Sequence, residues 1–295
     1  MLARLGNMLP ASRASTISSI PQPRLDGKVC WIIGGVGIIG TGVARGLLRA
    51  GATVIVNSRH MTRLDALSEE LGHPENLVCM QASMIGDAAP ETVSQAMSLS
   101  AGRLDHVVSH SAVRWWSKDA DETQTIGDKR GLLSLEPEEY AMRAMQLPLL
   151  QFQAARLLIP RLSEVPGASY TFLTGGAGER SRSGIGQVNA QGVWGLAAAL
   201  RTEERERGAS GLKLGEVRLG LRFNRNHIER QADPRGLDGP LSHELGRITA
   251  GIALSEPHKV GLHCVESNDD VRKLRTMYPA PDDGYRVHFR ASDVL

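Results

Sequence analysis

The stretch Val29-Cys30-Trp31-Ile32-Ile33, followed by Gly34-Gly35-Val36-Gly37-Ile38-Ile39-Gly40, limits the possible folds more than any other part of the chain. A continuous apolar run without polar alternation marks a strand buried on both faces. Glycines follow at once, and Thr41 to Ala50 then carries apolar residues at helical spacing up to Gly51. The order is strand, tight turn, helix. Gly35-x-Gly37-x-x-Gly40 has the spacing of a dinucleotide fingerprint. In that motif the first glycine makes the turn, the second admits a pyrophosphate, and the third lets helix pack on strand. Free N–H groups and the helix dipole favour an anion at such a helix start. Gly34, Gly35, Gly37, Ile39 and Gly40 are therefore candidate nucleotide-holding residues.

The same alternation continues. Apolar runs at 53–56, 77–81, 104–109, 169–174, 214–219 and 260–265 read as strands. Helical patterns at 61–71, 90–99, 136–162, 188–207 and 242–254 lie between them, with Pro148 as an expected break in the long 136–162 region. A last helix starts at Ser267 with a Ser-x-x-Asp cap. This pattern predicts an α/β fold: a single Rossmann-like, doubly wound parallel sheet of about seven strands with helices on both faces. Polar residues from Arg114 to Arg130, headed by Trp115-Trp116, read as a surface excursion. The segment from Gly175 to Gly186 reads as a glycine-rich loop without core residues. The alternating charges from Arg201 to Arg207 read as a solvated helix end with surface pairing.

Residues 1–25 stand apart, with Arg4, Arg13 and Arg24, no acidic residue, and many Ser and Ala. That composition fits an organellar transit peptide, mitochondrial more than plastid, or else a plain disordered tail on a cytoplasmic protein. Residues 26–295 then form one NAD(P)-binding domain. A net charge of +2 gives no case for nucleic acid or an anionic membrane as partner. No run reaches the roughly 18 apolar residues of a membrane span. Cys30, Cys79 and Cys264 lack metal-ligand spacing and read as reduced, buried core thiols, so no metal is expected.

Over Asp26 to about Ser267 the chain resembles the short-chain dehydrogenase/reductase family, from the lead-in Leu25-Asp26-Gly27-Lys28-Val29 through the glycine turn to Leu219-Gly220 after the sixth strand. Leu219-Gly220 stands where the family has Pro-Gly. At the end of the second strand an acidic residue would bind a ribose 2′-hydroxyl and repel a 2′-phosphate; Asn57-Ser58-Arg59 stands there instead. A guanidinium matches a phosphate, so the site favours NADP(H) over NAD(H), with Arg59 as a mere surface arginine the other reading. The resemblance also places Ser83 where the family has an adenine-holding Asp. Ser109-His110-Ser111-Ala112 replaces its Asn-Asn-Ala-Gly, making Ser109 and His110 cofactor-lining candidates.

The resemblance implies an Asn, Ser, Tyr and Lys catalytic set. An ordinary Tyr titrates near pH 10 and needs a neighbouring cation to act near neutrality. Aligned on Val193-Trp194-Gly195-Leu196, the four positions hold Gln146, Gly175, Gly186 and Ala190. No Tyr-x-x-x-Lys occurs anywhere. Three readings stay open. The first is a non-standard or non-catalytic NADP(H)-binding member. The second is an active NADPH-dependent oxidoreductase with a rebuilt site, drawing on His110, Thr174, Arg180, Arg182, Gln187, Asn189 and Gln191. Such a site suits an anionic or carbonyl-bearing small-molecule substrate. The third is a structural subunit with a protein partner. The resemblance further implies a homo-oligomer, paired through 136–162 and 188–207.

Overall fold

β1 (Val29–Ile33) is buried along its whole length and pairs in parallel with β2 (Thr53–Ser58) on one side and β4 (His106–Ser109) on the other. In the computed structural model, residues 23–110, 132–176, 184–208, 211–232 and 239–281 are described. With β3 (Leu77–Gln81), β5 (Ser169–Gly175), β6 (Lys213–Leu219) and β7 (Leu262–Val265) the strands form one parallel sheet in the order β3-β2-β1-β4-β5-β6-β7. This is the expected doubly wound α/β sheet. Residues 1–22, 111–131 (with Trp115-Trp116), Arg180 and Arg182 fall outside the described residues, so the expectations for the tail and the surface excursion concern segments beyond them.

The helices are α1 (Ile38–Arg49), α2 (Met61–Leu71), α3 (Ala88–Leu99), α4 (Pro137–Ala144), α5 (Gln146–Ser163), α6 (Gly184–Arg207), α7 (His227–Ala232), α8 (Ser242–Leu254) and α9 (Asn268–Met277). Side chains alternate across each strand. Cys30 and Ile32 join a core under α1, α2, α8 and α9. Trp31 and Ile33 join a second core under α3, α5 and α6. Chain direction across the sheet reverses between β1 and β4, and ligands bind such sheets at the carboxyl ends of the strands flanking that point.

α1 and α8 meet backbone to backbone. A Cβ added at Gly46 would lie 2.1 Å from the Gly246 carbonyl carbon, and one at Gly42 would lie 2.2 Å from the Ser242 carbonyl oxygen.

Several expectations change. The break in the 136–162 region falls at Met145, and Pro148 sits in the first turn of α5, where its missing N–H costs nothing. Gly184 already opens α6 and Gly186 is buried, so the glycine-rich segment ends in helix rather than loop. Only Cys30 is a buried thiol; Cys79 is partly buried and Cys264 is exposed, because β7 is an edge strand. The Ser267 cap forms as expected, with Asp270 reciprocating.

At the amino end of the sheet His106 is buried, its ring 2.9 Å from the Ser169 hydroxyl. Burial, with the nearby Lys213 charge, pulls its pKa down to about 3; Asp105 opposes this and Lys28 adds to it. The folded protein therefore resists a proton that the unfolded chain takes up near pH 6.5. Stability falls as pH drops from about 6.5 toward about 3, by about 2 kcal/mol at pH 5 from this group. Thermal melts at pH 7 and pH 5 should differ by several degrees, and His106→Gln should reduce that difference; equal differences in the two proteins would refute the assignment.

Candidate functional site

The carboxyl ends of β1 and β4 frame a crevice at the reversal point. Gly34 takes φ +79°, a left-handed conformation that glycine adopts without penalty. A Cβ at Gly40 would lie 2.3 Å from the Gly35 backbone, so the third glycine of the motif brings helix and turn together. A Cβ at Gly37 would meet nothing within 4 Å. Gly37 is also the N-cap of α1, without a side-chain cap and with no acidic residue in the first turn. Open space lies beside uncapped N–H groups there. That is the arrangement a pyrophosphate requires.

The second-strand candidates divide. Asn57 is buried, accepting from Trp31 Nε1 at 3.0 Å and donating to the Ala82 carbonyl at 3.3 Å. Both ends of its side chain are spent on joining β1, β2 and the segment after β3. Asn57, a cofactor-binding candidate at the end of the second strand, thus has its side-chain amide engaged with the scaffold. Ser58 accepts from the His60 N–H at 3.2 Å, turning the chain so that Arg59 is exposed at the strand end.

The segment after β3 is firmly held. Ser83 accepts from the Ile85 N–H, and its carbonyl accepts from Thr92. Gln153 of α5 pairs with both the N–H and the carbonyl of Gly86, at 3.2 and 2.8 Å. Nothing in the local sequence announced that clamp, because Gln153 lies 67 residues away.

Around the expected catalytic positions the polar side chains serve the scaffold. Ser109 donates to Gln151 of α5. Asn189 accepts from the Leu147 N–H and donates to the carbonyls of Arg143 and Ile185, tying the α4–α5 break to α6. Thr174 donates to Glu216 at 2.9 Å. The His110 backbone N–H donates to the Ile33 carbonyl at 3.1 Å. Burial pulls the His110 ring down to about pKa 4, against a hydrogen bond to the Leu173 backbone that favours the charged form. The ring is therefore neutral at pH 7. Gly175 is exposed at the end of β5, Gln146 is exposed at the start of α5, and Gly186 and Ala190 are buried in α6. Gln187 and Gln191 lie on the same helix and are already engaged. Tyr170 is fully buried in β5, and burial raises its pKa, which does not suit proton transfer.

Sequence reasoning missed Glu216. It is fully buried in β6, accepting from Arg201 at 2.8 Å and from Arg218 at 3.0 Å as well as from Thr174. The Arg218 guanidinium lies 3.8 Å from the centre of the Trp194 ring. Arg201, expected on a solvated helix end, turns inward; Arg207 pairs with Glu203 at the surface as expected. The signal was a carboxylate between Gly215 and Val217 in a strand read as buried, where a charge needs a partner. Among the described residues no cluster of metal-ligating groups occurs and no helix is long and apolar enough to cross a membrane.

Comparison with known proteins agrees with this geometry. Residues 29–101 match the family model described as NADP oxidoreductase coenzyme F420-dependent. The sex determination protein tasselseed-2 of Zea mays is 29% identical over 170 residues, which cover 55% of this chain and 48% of that protein. The match thus spans about half the length of that relative. Among solved structures, the NADP active-site complex of Pseudomonas aeruginosa RhlG superposes with a TM-score of 0.64 at 17% identity, over 85% of this chain and 99% of that one. A metagenomic short-chain oxidoreductase in complex with NADP gives 0.62 at 17% identity, over 82% and 97%. An alcohol dehydrogenase of Thermococcus sibiricus, complexed with 5-hydroxy-NADP, gives 0.62 at 18% identity over the same shares. The fold is that of the short-chain dehydrogenases and reductases.

Proposed function

We propose that this protein is a divergent short-chain dehydrogenase/reductase that binds NADP(H), with its standard acid–base residues replaced. The observation that carries the reading is the open Cβ position of Gly37 at the uncapped start of α1, with Arg59 exposed at the end of the adjoining strand. The α1 N–H groups would hold the pyrophosphate, and Ser58 and Arg59 the 2′-phosphate. Bound there, the cofactor supplies hydride chemistry.

The chain's own part is binding and orientation. The Asn57, Thr92 and Gln153 contacts fix the segment after β3 that would face the adenine. Glycines at 175 and 186 carry no group able to move a proton. The inward turn of Ser109, Thr174 and Asn189 favours the non-standard or non-catalytic reading over a rebuilt active site.

Titration with NADPH and NADH, followed by nicotinamide fluorescence, tests this. NADPH should bind more tightly. Arg59→Ala should weaken NADPH at least tenfold and NADH hardly at all. Equal losses would refute the 2′-phosphate role, and no binding of either would refute the function.

We infer in addition that two copies pair through α5 and α6. Leu149 and Phe152, 53% and 44% exposed, continue the apolar stripe of Met142 and Met145. Gly195 on α6 has open space above it. Leu149→Glu with Phe152→Glu should convert a dimer to a monomer in sedimentation; an unchanged mass would refute this interface.

A further inference from the structure

A cavity of about 490 Å³ opens beside β7, between the C-terminal half of α6 and the first residues of β6 and β7. It lies at the amino ends of the strands, whereas the nucleotide crevice lies at their carboxyl ends. Its size is that of a small-molecule site. We propose that it binds an amphipathic monocarboxylate, with Arg201 and Arg205 holding the carboxylate and Leu212, Leu214 and Leu262 lying along the apolar tail.

The charge balance carries the choice of ligand. Glu216 is shared by Arg201 and Arg218, so one buried carboxylate faces two guanidinium groups. Trp194 stacks on Arg218, and Arg201 is the member of the cluster that lines the cavity. Arg201 uses Nη1 for Glu216, and its other donors make no hydrogen bond among the described residues. Arg205 adds a second cation, held by one long contact of 3.4 Å to Thr202. Glu204 is the one carboxylate among the described lining residues and is already engaged. An excess of cation excludes an amine and favours an anion. The apolar part of the wall favours an anion that also carries hydrocarbon, since Leu262 stands 44% exposed with apolar surface to cover. A carboxylate with a hydrocarbon chain meets both demands, and a guanidinium fork fits it in two-point fashion.

Calorimetric titration of the full chain with decanoate, below its micellar concentration, tests the site. One decanoate should bind per chain, and decan-1-ol and acetate should each bind at least tenfold more weakly. Arg205→Met, on an exposed helix turn, should weaken decanoate at least tenfold and leave decan-1-ol unchanged. Leu262→Glu should weaken both. Decanoate affinity should be the same with and without NADPH, whether or not NADPH itself binds. Decan-1-ol binding as tightly as decanoate, an Arg205→Met protein with unchanged decanoate affinity, or displacement of decanoate by NADPH would each overturn the proposal.

Discussion

Gly46→Val is expected to yield no stably folded protein. The valine Cβ would fall 2.1 Å from the Gly246 carbonyl carbon and 2.2 Å from its oxygen, far inside van der Waals contact. Ordinary overpacking costs about 1–3 kcal/mol because side chains can move aside. Here the obstacle is the backbone of α8, and relief requires moving a whole helix. A Cβ at Gly246 would in turn lie 2.0 Å from the Gly42 carbonyl oxygen, so the contact is tight from both sides. Separating α1 from α8 would open the core that holds Val43, Leu47, Leu245 and Ile248. It would also displace the start of α1, the end proposed to hold the pyrophosphate. The measurement is soluble yield, then thermal unfolding of whatever is recovered. Gly37→Ala is the comparison, since a Cβ there meets nothing within 4 Å. That protein should fold normally and lose nucleotide affinity alone. A Gly46→Val protein with wild-type melting would show that the helices do not pack this way.

The features legible in the sequence were those set by local chemistry. β1 and the turn at Gly34 to Gly40 are fixed by a few adjacent residues, and the α8 bounds and the Ser267 cap by short-range pattern. What escaped depends on partners distant in sequence. Asn57 stands at the cofactor-binding end of the second strand, and its bonds to the Trp31 N–H and the Ala82 carbonyl, 26 and 25 residues away, engage it with the scaffold. Arg201 belongs to a run of alternating charges that reads as solvated. It turns inward because β6 presents a carboxylate 15 residues on. Cys264 lies in an apolar run, yet edge position leaves it exposed, and edge position is a property of strand order. The candidate site divides the same way. Its glycines were readable. The commitment of Ser109, Thr174 and Asn189 to the scaffold was not, because each bonds to a different element.

Glu216→Ala is expected to be the most damaging change that leaves the backbone path intact. The wild-type carboxylate has no solvent exposure, and the side chains of Arg201 and Arg218 are only 15% and 17% exposed. Removing it leaves two largely buried guanidinium groups without their carboxylate and the Thr174 hydroxyl without its acceptor. Breaking a buried ion pair from one side costs about 3–5 kcal/mol, because the remaining charge stays desolvated. For a domain of this size that is a fall in melting temperature on the order of 10 °C. Glu203→Ala removes a carboxylate from the exposed Arg207 pair, 65% and 58% exposed, and should cost almost nothing. Glu216→Gln keeps the volume and an acceptor for Thr174 but not the charge, and should fall between the two. The decisive variant replaces the whole cluster with Glu216→Leu, Arg201→Met and Arg218→Met. If the loss comes from unpaired charge, this triple variant should be more stable than Glu216→Ala alone. If it is less stable, packing on the Trp194 ring, and not charge compensation, holds the end of β6 against α6.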